Sequence, residues 1–285
     1  MNVRPTIFAV VNQKGGVGKT TTAVNLAHGL ARLCAAHNSG HVLLIDFDAQ
    51  GNCATSLGIS PNEVNLADVL AGRGAIKDSL VHADRSAEGL PRPNLWLLPA
   101  DRRLAEVKTE LVMQEALTNA MAIMRPNEGS RSVPLLNLLE SRLGALTQRF
   151  AFTIIDCPPA HDALSNAVYQ LADAAIVPVK LDFLSAVGAG QHIENVRRAQ
   201  MSGINIAIHT VVPTFFVKRQ VQDNQVLESL IDAYGVKTIA EPIPKNQVVP
   251  ESSASGGGMT LFEYAPDSPA AESYQRLVER IYYDR

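Results

Sequence analysis

The 285-residue sequence predicts an α/β protein built on a doubly wound, mostly parallel β-sheet with helices on both faces. Three observations carry that expectation. Short runs of β-branched and aliphatic residues, apolar without alternation, recur along the chain and read as strands buried on both faces. Longer stretches between them repeat their apolar residues at helical spacing. The resulting strand–loop–helix–strand order is the βαβ unit, which implies parallel strands joined by right-handed crossovers.

The elements follow in order. Thr6 to Asn12 is a buried strand that ends near a glycine pair. From Lys19 to about Ala36, Val24, Leu26, Ala27, Leu30, Ala31 and Cys34 recur as one helical face, and Asn38-Ser39-Gly40 breaks it. His41 to Asp46 is the second strand. Leu66 to Leu70 and Ile76 to Val81 read as short helical pieces, and Leu95 to Leu98 as a strand. Arg102 to Met124 and Pro134 to Arg149 are helical, with a polar loop from Arg125 to Ser132. The stretch from Met113 to Arg149 reads as structural helix. Phe152 to Asp156, Ala174 to Val179 and Asn205 to Val212 are further strands, and Val221 to Tyr234 and Ala270 to Tyr283 the last helices. Ser252 to Gly258 reads as a mobile loop. With no internal repeat and no strong linker, residues 1–285 read as one domain.

Composition excludes several classes. The chain is 46% hydrophobic and 19% charged, which suits a soluble globular protein with a sizeable core. Its net charge of −3 provides no global pull onto DNA or an acidic membrane, so any polyanion contact must come from a local patch. The three cysteines, Cys34, Cys53 and Cys157, lack zinc or disulfide spacing and read as reduced thiols. No signal-peptide pattern opens the chain, and no apolar stretch approaches the ~20 residues of a spanning helix. A cytoplasmic protein without stable membrane insertion is the expectation.

The chemistry begins at Lys14-Gly15-Gly16-Val17-Gly18-Lys19-Thr20-Thr21-Thr22, between the first strand and first helix. A glycine-rich loop there points several main-chain N–H groups and a positive helix end at one anion. Gly15, Gly16 and Gly18 permit close backbone approach, Lys19 adds a point charge for the β/γ-phosphates, and Thr20 a hydroxyl for Mg²⁺. The standard phosphate loop has glycine five residues before Gly18, where this chain has Gln13. A second lysine, Lys14, opens the loop instead; it is poorly aimed at its own nucleotide but able to reach one held by a facing subunit.

Two further strands end in acids. Asp46 and Asp48, in Ile45-Asp46-Phe47-Asp48-Ala49-Gln50-Gly51-Asn52, close the second strand at the end where open α/β sheets bind ligands. Phe152-Thr153-Ile154-Ile155-Asp156-Cys157-Pro158-Pro159 places Asp156 where a carboxylate holds a Mg²⁺-bound water. Cys157 reads as a small strand-end residue.

Together these segments resemble the ParA/MinD family of deviant Walker A P-loop ATPases, and Gln13 before the signature lysine resembles its ParA (Soj-like) branch. The acidic loop is similar to the family's Asp-x-Asp-Pro-Gln-Gly-Asn, with Ala49 in place of proline. Asn94 to Asp101, Ala174 to Lys180 and Ile243-Pro244-Lys245-Asn246 also look like family segments. The resemblance implies a P-loop NTPase fold, ATP and Mg²⁺ as cofactors, Lys14 and Lys19 at the phosphates, Asp48 on the attacking water and Asp46 in the Mg²⁺ shell. It places the base near Pro213 and Pro244, and the absence of an Asn-Lys-x-Asp motif favours ATP over GTP. It further implies an ATP-bound homodimer that binds DNA nonspecifically over the nucleoid, and a ParB-like or cargo-adaptor protein that triggers hydrolysis. The basic candidates for DNA contact are Arg197, Arg198, Lys218, Arg219 and Lys245.

Three rivals are weighed. A MinD-like membrane switch, the principal alternative, needs an amphipathic C-terminal helix with a basic polar face, but Glu272, Arg276, Glu279 and Arg280 mix both signs. An iron–sulfur reductase needs paired cysteines, and an autokinase a tyrosine-rich tail better than Tyr282-Tyr283. No helix-turn-helix precedes the phosphate loop, so operator-specific binding is not expected.

Overall fold

The computed structural model describes residues 4–124, 135–159, 163–181, 206–254 and 257–284. Strands β1 (Thr6–Val10), β2 (Val42–Asp46), β3 (Val81–His82), β4 (Leu95–Leu98), β5 (Phe152–Asp156), β6 (Ala174–Lys180) and β7 (Ala207–Thr214) form one sheet in the order β3-β4-β2-β5-β1-β6-β7. All neighbours are parallel except the edge pair β3–β4. The predicted doubly wound sheet is therefore present, and β3, lodged at the end of the expected helix over residues 76–81, is an addition. Two residues are too few to show a period.

Strand alternation divides the core in two. Ile7, Ala9, Leu43 and Ile45 face one side, with Leu104 and Val107 of α5 (Arg103–Met124) and Leu139 and Leu143 of α6 (Leu135–Thr147). The α3 (Leu66–Leu70) and α7 (Ala163–Leu171) helices cover the same side. Phe8, Val10, Val42 and Leu44 face the other, against α1 (Lys19–Ala36) and α11 (Pro269–Tyr283). Both faces of a parallel sheet need such cover, which explains the continuous apolar strands.

The remaining helices among the described residues are short: α2 (Asn52–Leu57), α4 (Ile76–Ser79), α9 (Val248–Ala254) and α10 (Leu261–Tyr264), besides α8 (Val221–Tyr234). The expected mobile loop over 252–258 is overturned where described. Ser252 to Ala254 belong to α9, and the Gly257 and Gly258 carbonyls accept hydrogen bonds from Arg85 and Arg92. Gly258 lies against Gly58 so closely that a Cβ on it would sit 2.0 Å from the Gly58 nitrogen.

The structural reading of residues 113–149 holds for α6, where Leu135, Leu139, Leu143 and Leu146 are buried, while residues 125–134 lie outside the described residues. The far half of α5 instead exposes Met113, Leu117 and Met121.

Candidate nucleotide site

β1 runs out between β5 and β6 and delivers the glycine loop to the carboxyl edge of the sheet, where ligands bind in such folds. Asn12 anchors the loop: its Nδ2 donates to Pro178 O at 2.7 Å, and its Oδ1 accepts from Lys14 N at 2.9 Å. Gly16 (φ 71°) and Gly18 (φ 87°) occupy left-handed backbone that other residues adopt at a cost, and Gly18 caps α1. Val17 is buried and its carbonyl accepts from Thr214 Oγ1 at 3.0 Å. Gly15 and Gly16 are exposed, while Lys14, Thr20 and Thr21 are half-buried.

Lys19 is 8% exposed, and its Nζ donates to Lys14 O at 3.0 Å across the loop. Burial lowers its pKa, opposed by the charges of Asp156 and Asp48. A desolvated ammonium held inside a ring of main-chain groups is poised for an anion.

Asp46 and Asp156 are register partners at the ends of β2 and β5. Asp46 accepts from Asp48 N at 3.1 Å and from Cys53 N at 2.9 Å. Burial, reinforced by the neighbouring Asp156, raises its pKa to about 7. Burial also raises Asp156 to about 6, opposed by Thr20, Cys53 and Lys19. Two buried acids this close resist simultaneous ionisation unless a cation joins them. Oδ1 of Asp156 is buried without a hydrogen-bond partner, and the ligand atoms of Asp46, Cys53 and Asp156 lie within 4.8 Å of one another.

Cys53, read from sequence only as a reduced thiol, thus stands between the acids, its Sγ 3.5 Å from Asp156 Oδ2. Its one signal was its place in the acidic motif. Asp48 is half-buried on the loop beyond, and its Oδ1 accepts from Gln50 N at 3.0 Å.

A cleft beside the loop lies between Gly18 and Thr21 on one wall and Thr214, Phe215 and Pro244 on the other, with Tyr274 and Lys245 also lining it. Pro213 does not line it. This proline is buried in β7, and its carbonyl accepts from Ile243 N at 2.8 Å, tying the segment before Pro244 to the strand. Phe215, which sequence reasoning passed over, takes the wall position with φ 58°, unusual for a non-glycine residue.

Lys218, Arg219 and Lys245 are all exposed. The bond from Lys245 N to Phe216 O at 2.9 Å brings Lys245 beside the Lys218–Arg219 segment, and Lys245 also borders the cleft. Arg197 and Arg198 lie outside the described residues. The apolar face of α11 (Tyr274, Leu277, Val278, Ile281, Tyr282) is buried, and no helix among the described residues is long and apolar enough to cross a membrane.

The sheet order, the loop between β1 and α1, and the acids ending β2 and β5 define a P-loop nucleotide-binding protein. Comparison with known proteins narrows the class. The AAA_31 family model, an AAA domain, matches residues 5–210. The chromosome partitioning protein ParA of Caulobacter vibrioides is 31% identical over 278 residues, covering 96% of this chain and 93% of that protein. The sporulation initiation inhibitor protein Soj of Bacillus subtilis is also 31% identical, over 96% of this chain and 97% of its own. Among solved structures, cobyrinic acid a,c-diamide synthase from Mycobacterium smegmatis with bound ATP analog and magnesium has a TM-score of 0.73 at 25% identity, covering 98% of this chain and 96% of that one. The chain belongs to the ParA/Soj family of partitioning ATPases, as its loop and acidic motifs led us to expect.

Proposed function

We propose that residues 1–285 work as one ATPase domain that dimerises on Mg²⁺-ATP, binds DNA without sequence preference, and releases it after partner-stimulated hydrolysis. The cargo is a plasmid, a chromosome origin or a protein assembly moved over the nucleoid in the cytoplasm, and the partner a ParB-like or adaptor protein. One observation carries this reading: Lys19, buried in a glycine loop that Lys14 opens, lies in the field of Asp156 and Asp48, with Asp46 beside Asp156.

In this reading the N–H groups from Lys14 through Gly15, Gly16, Val17 and Gly18 to Thr21 bind the phosphates with the positive end of α1, and Lys19 neutralises them. The donor set fits magnesium: Thr20, Asp46 and Asp156 offer hard oxygens, and one oxygen of Asp156 is buried without a partner. Bound there, the ion screens charge on the β- and γ-phosphates. Asp48 orients the attacking water, and Lys14 delivers its charge to the nucleotide of the facing subunit. Phe215 and Pro244 hold the base, with Pro213 bracing the cleft wall from behind.

Two substitutions test this. Lys19→Ala is expected to abolish ATP binding in a folded protein, because it removes the charge under the phosphates. Lys14→Ala is expected to bind ATP normally yet fail to dimerise and to hydrolyse, since a charge supplied by a partner subunit is worth roughly 10³ to 10⁵ in rate. Nucleotide titration and light scattering with ATP read the two outcomes. Normal ATP affinity in Lys19→Ala sinks the phosphate-site reading, and normal dimerisation and turnover in Lys14→Ala sinks the facing-subunit role.

A further inference from the structure

The peptide that leads into Asp48 is held from both sides. Phe47 N donates to Asp156 O at 2.9 Å, which extends the β2–β5 ladder one step past Asp46. Phe47 O accepts from Nζ of Lys108 at 3.0 Å, and the same ammonium lies 4.6 Å from the centre of the Phe47 ring. Phe47 is 1% exposed, so its ring cannot shift without disturbing the core. Lys108 itself is half-buried on α5, directly after the buried Val107 and one turn beyond the buried Leu104. Its helix is therefore anchored where the lysine reaches out.

The loop beyond that peptide is held mainly by its own bonds, with Ala49 packed against the core. Asp48 N reaches back to Asp46 Oδ1, while Asp48 O and Oδ1 accept from Gly51 N and Gln50 N, both inside the loop. One tertiary constraint comes at the far side, where Gly51 packs so tightly on Ala100 that a Cβ would sit 2.7 Å from the Ala100 carbonyl. Lys108 supplies the constraint on the near side. It is a cation bonded to the carbonyl immediately preceding the residue whose carboxylate must find a water.

We propose that Lys108 is a positioning residue for hydrolysis: it fixes the Phe47–Asp48 peptide and so sets where the Asp48 carboxylate stands over the phosphates. The inference rests on the reading that Asp48 orients the attacking water. The physical basis is preorganisation, since displacement of a catalytic group by about 1 Å costs on the order of 10²-fold in rate. Binding of ATP, governed by the glycine loop, does not pass through Lys108.

The experiment compares Lys108→Met, Lys108→Arg, Asp48→Ala and the double variant Lys108→Met/Asp48→Ala. Lys108→Met keeps the aliphatic stem and removes the charge and the donor. Its single-turnover hydrolysis rate is expected to fall about 10- to 100-fold with ATP affinity and thermal unfolding unchanged. Lys108→Arg is expected to restore most of the rate, and the double variant to be no slower than Asp48→Ala. Hydrogen exchange provides a readout independent of turnover: the Gln50 and Gly51 amides should exchange faster in Lys108→Met, with β2 and β5 amides unchanged. Wild-type rate and exchange in Lys108→Met, beside an inactive Asp48→Ala, overturn the role of Lys108 alone. Wild-type hydrolysis by Asp48→Ala overturns the Asp48 reading on which it rests.

Discussion

His28 illustrates how far a single side chain depends on its surroundings. It lies on α1, 2% exposed, with Nδ1 2.7 Å from Thr260 Oγ1 and its ring edge-on to Phe262. Burial lowers its pKa to about 4; Glu263 opposes the shift, and Arg92 and Arg32 add to it. The unfolded chain takes up the proton near pH 6.5, whereas the native protein refuses it until about pH 4. The contribution of His28 is therefore fully present above pH 6.5 and is lost as pH falls through that window, by about 3 kcal/mol in total. Because the raised pKa values of Asp46 and Asp156 act in the opposite sense over the same range, the readout is the difference in urea unfolding between pH 7.5 and 5: His28→Gln should remove close to one proton from this pH dependence relative to wild type. An unchanged slope in the variant would show that other groups carry the pH dependence. Nothing in the sequence marks His28 or Lys108 for these places, because their partners lie far along the chain.

At the level of elements, α1 is the member on which both the site and the core depend. Its N-terminus carries the glycine loop, and its flank packs on α11 through Gly29. A Cβ on Gly29 would lie 2.4 Å from Cγ2 of the fully buried Val278 and 3.1 Å from Phe262 Cε2. Gly29→Ala, although it favours helix locally, is expected to destabilise by roughly 1–3 kcal/mol through overpacking. Denaturant unfolding checks the sign, and a stabilised variant would mean that α11 yields freely.

The same side of the sheet holds a buried ion pair. Arg92 Nε and Nη2 donate to Glu263 at 2.7 and 2.9 Å, while Nη1 and Nη2 also donate to Leu57 O and Gly258 O. It joins α2, the approach to β4 and the capping box that opens α10. The long helices and central strands were legible because their apolar periodicity spans many residues. Helices α2, α9 and α10, unlike the comparably short α3 and α4, were not, since so few residues carry little periodic signal and such anchors as Arg92 decide their place.

For the molecule as a whole, the proposed DNA binding has to be reconciled with a net charge of −3. Lys245 lines the cleft and is tied through its N–H to Phe216, two residues before the exposed Lys218 and Arg219. A dimer would double this set of cations. Binding is then expected to require ATP, to ignore base sequence, and to fall with salt at a log–log slope of roughly −0.9 per phosphate neutralised. Replacing Lys218 and Arg219 with alanine should weaken binding equally on unrelated duplexes and flatten the slope. Anisotropy titrations at two salt concentrations, with ATP, ADP and no nucleotide, measure this; no ATP-dependent binding at low salt would remove DNA from the reading.

The sequence by itself determined the layered α/β sheet, the family, and the positions of the glycine loop and of Asp46, Asp48 and Asp156. Those features are local: a run of apolar residues, or a motif whose parts are contiguous in the chain. The tertiary structure alone decided that Cys53 stands between Asp46 and Asp156 and that Phe215, not Pro213, lines the cleft. It alone set Lys108 against the Phe47 carbonyl and bonded Lys245 N to Phe216 O, two residues before Lys218. Each of those arrangements joins segments that only strand pairing and helix packing bring together, and periodicity along one segment carries no information about which distant segment will lie against it.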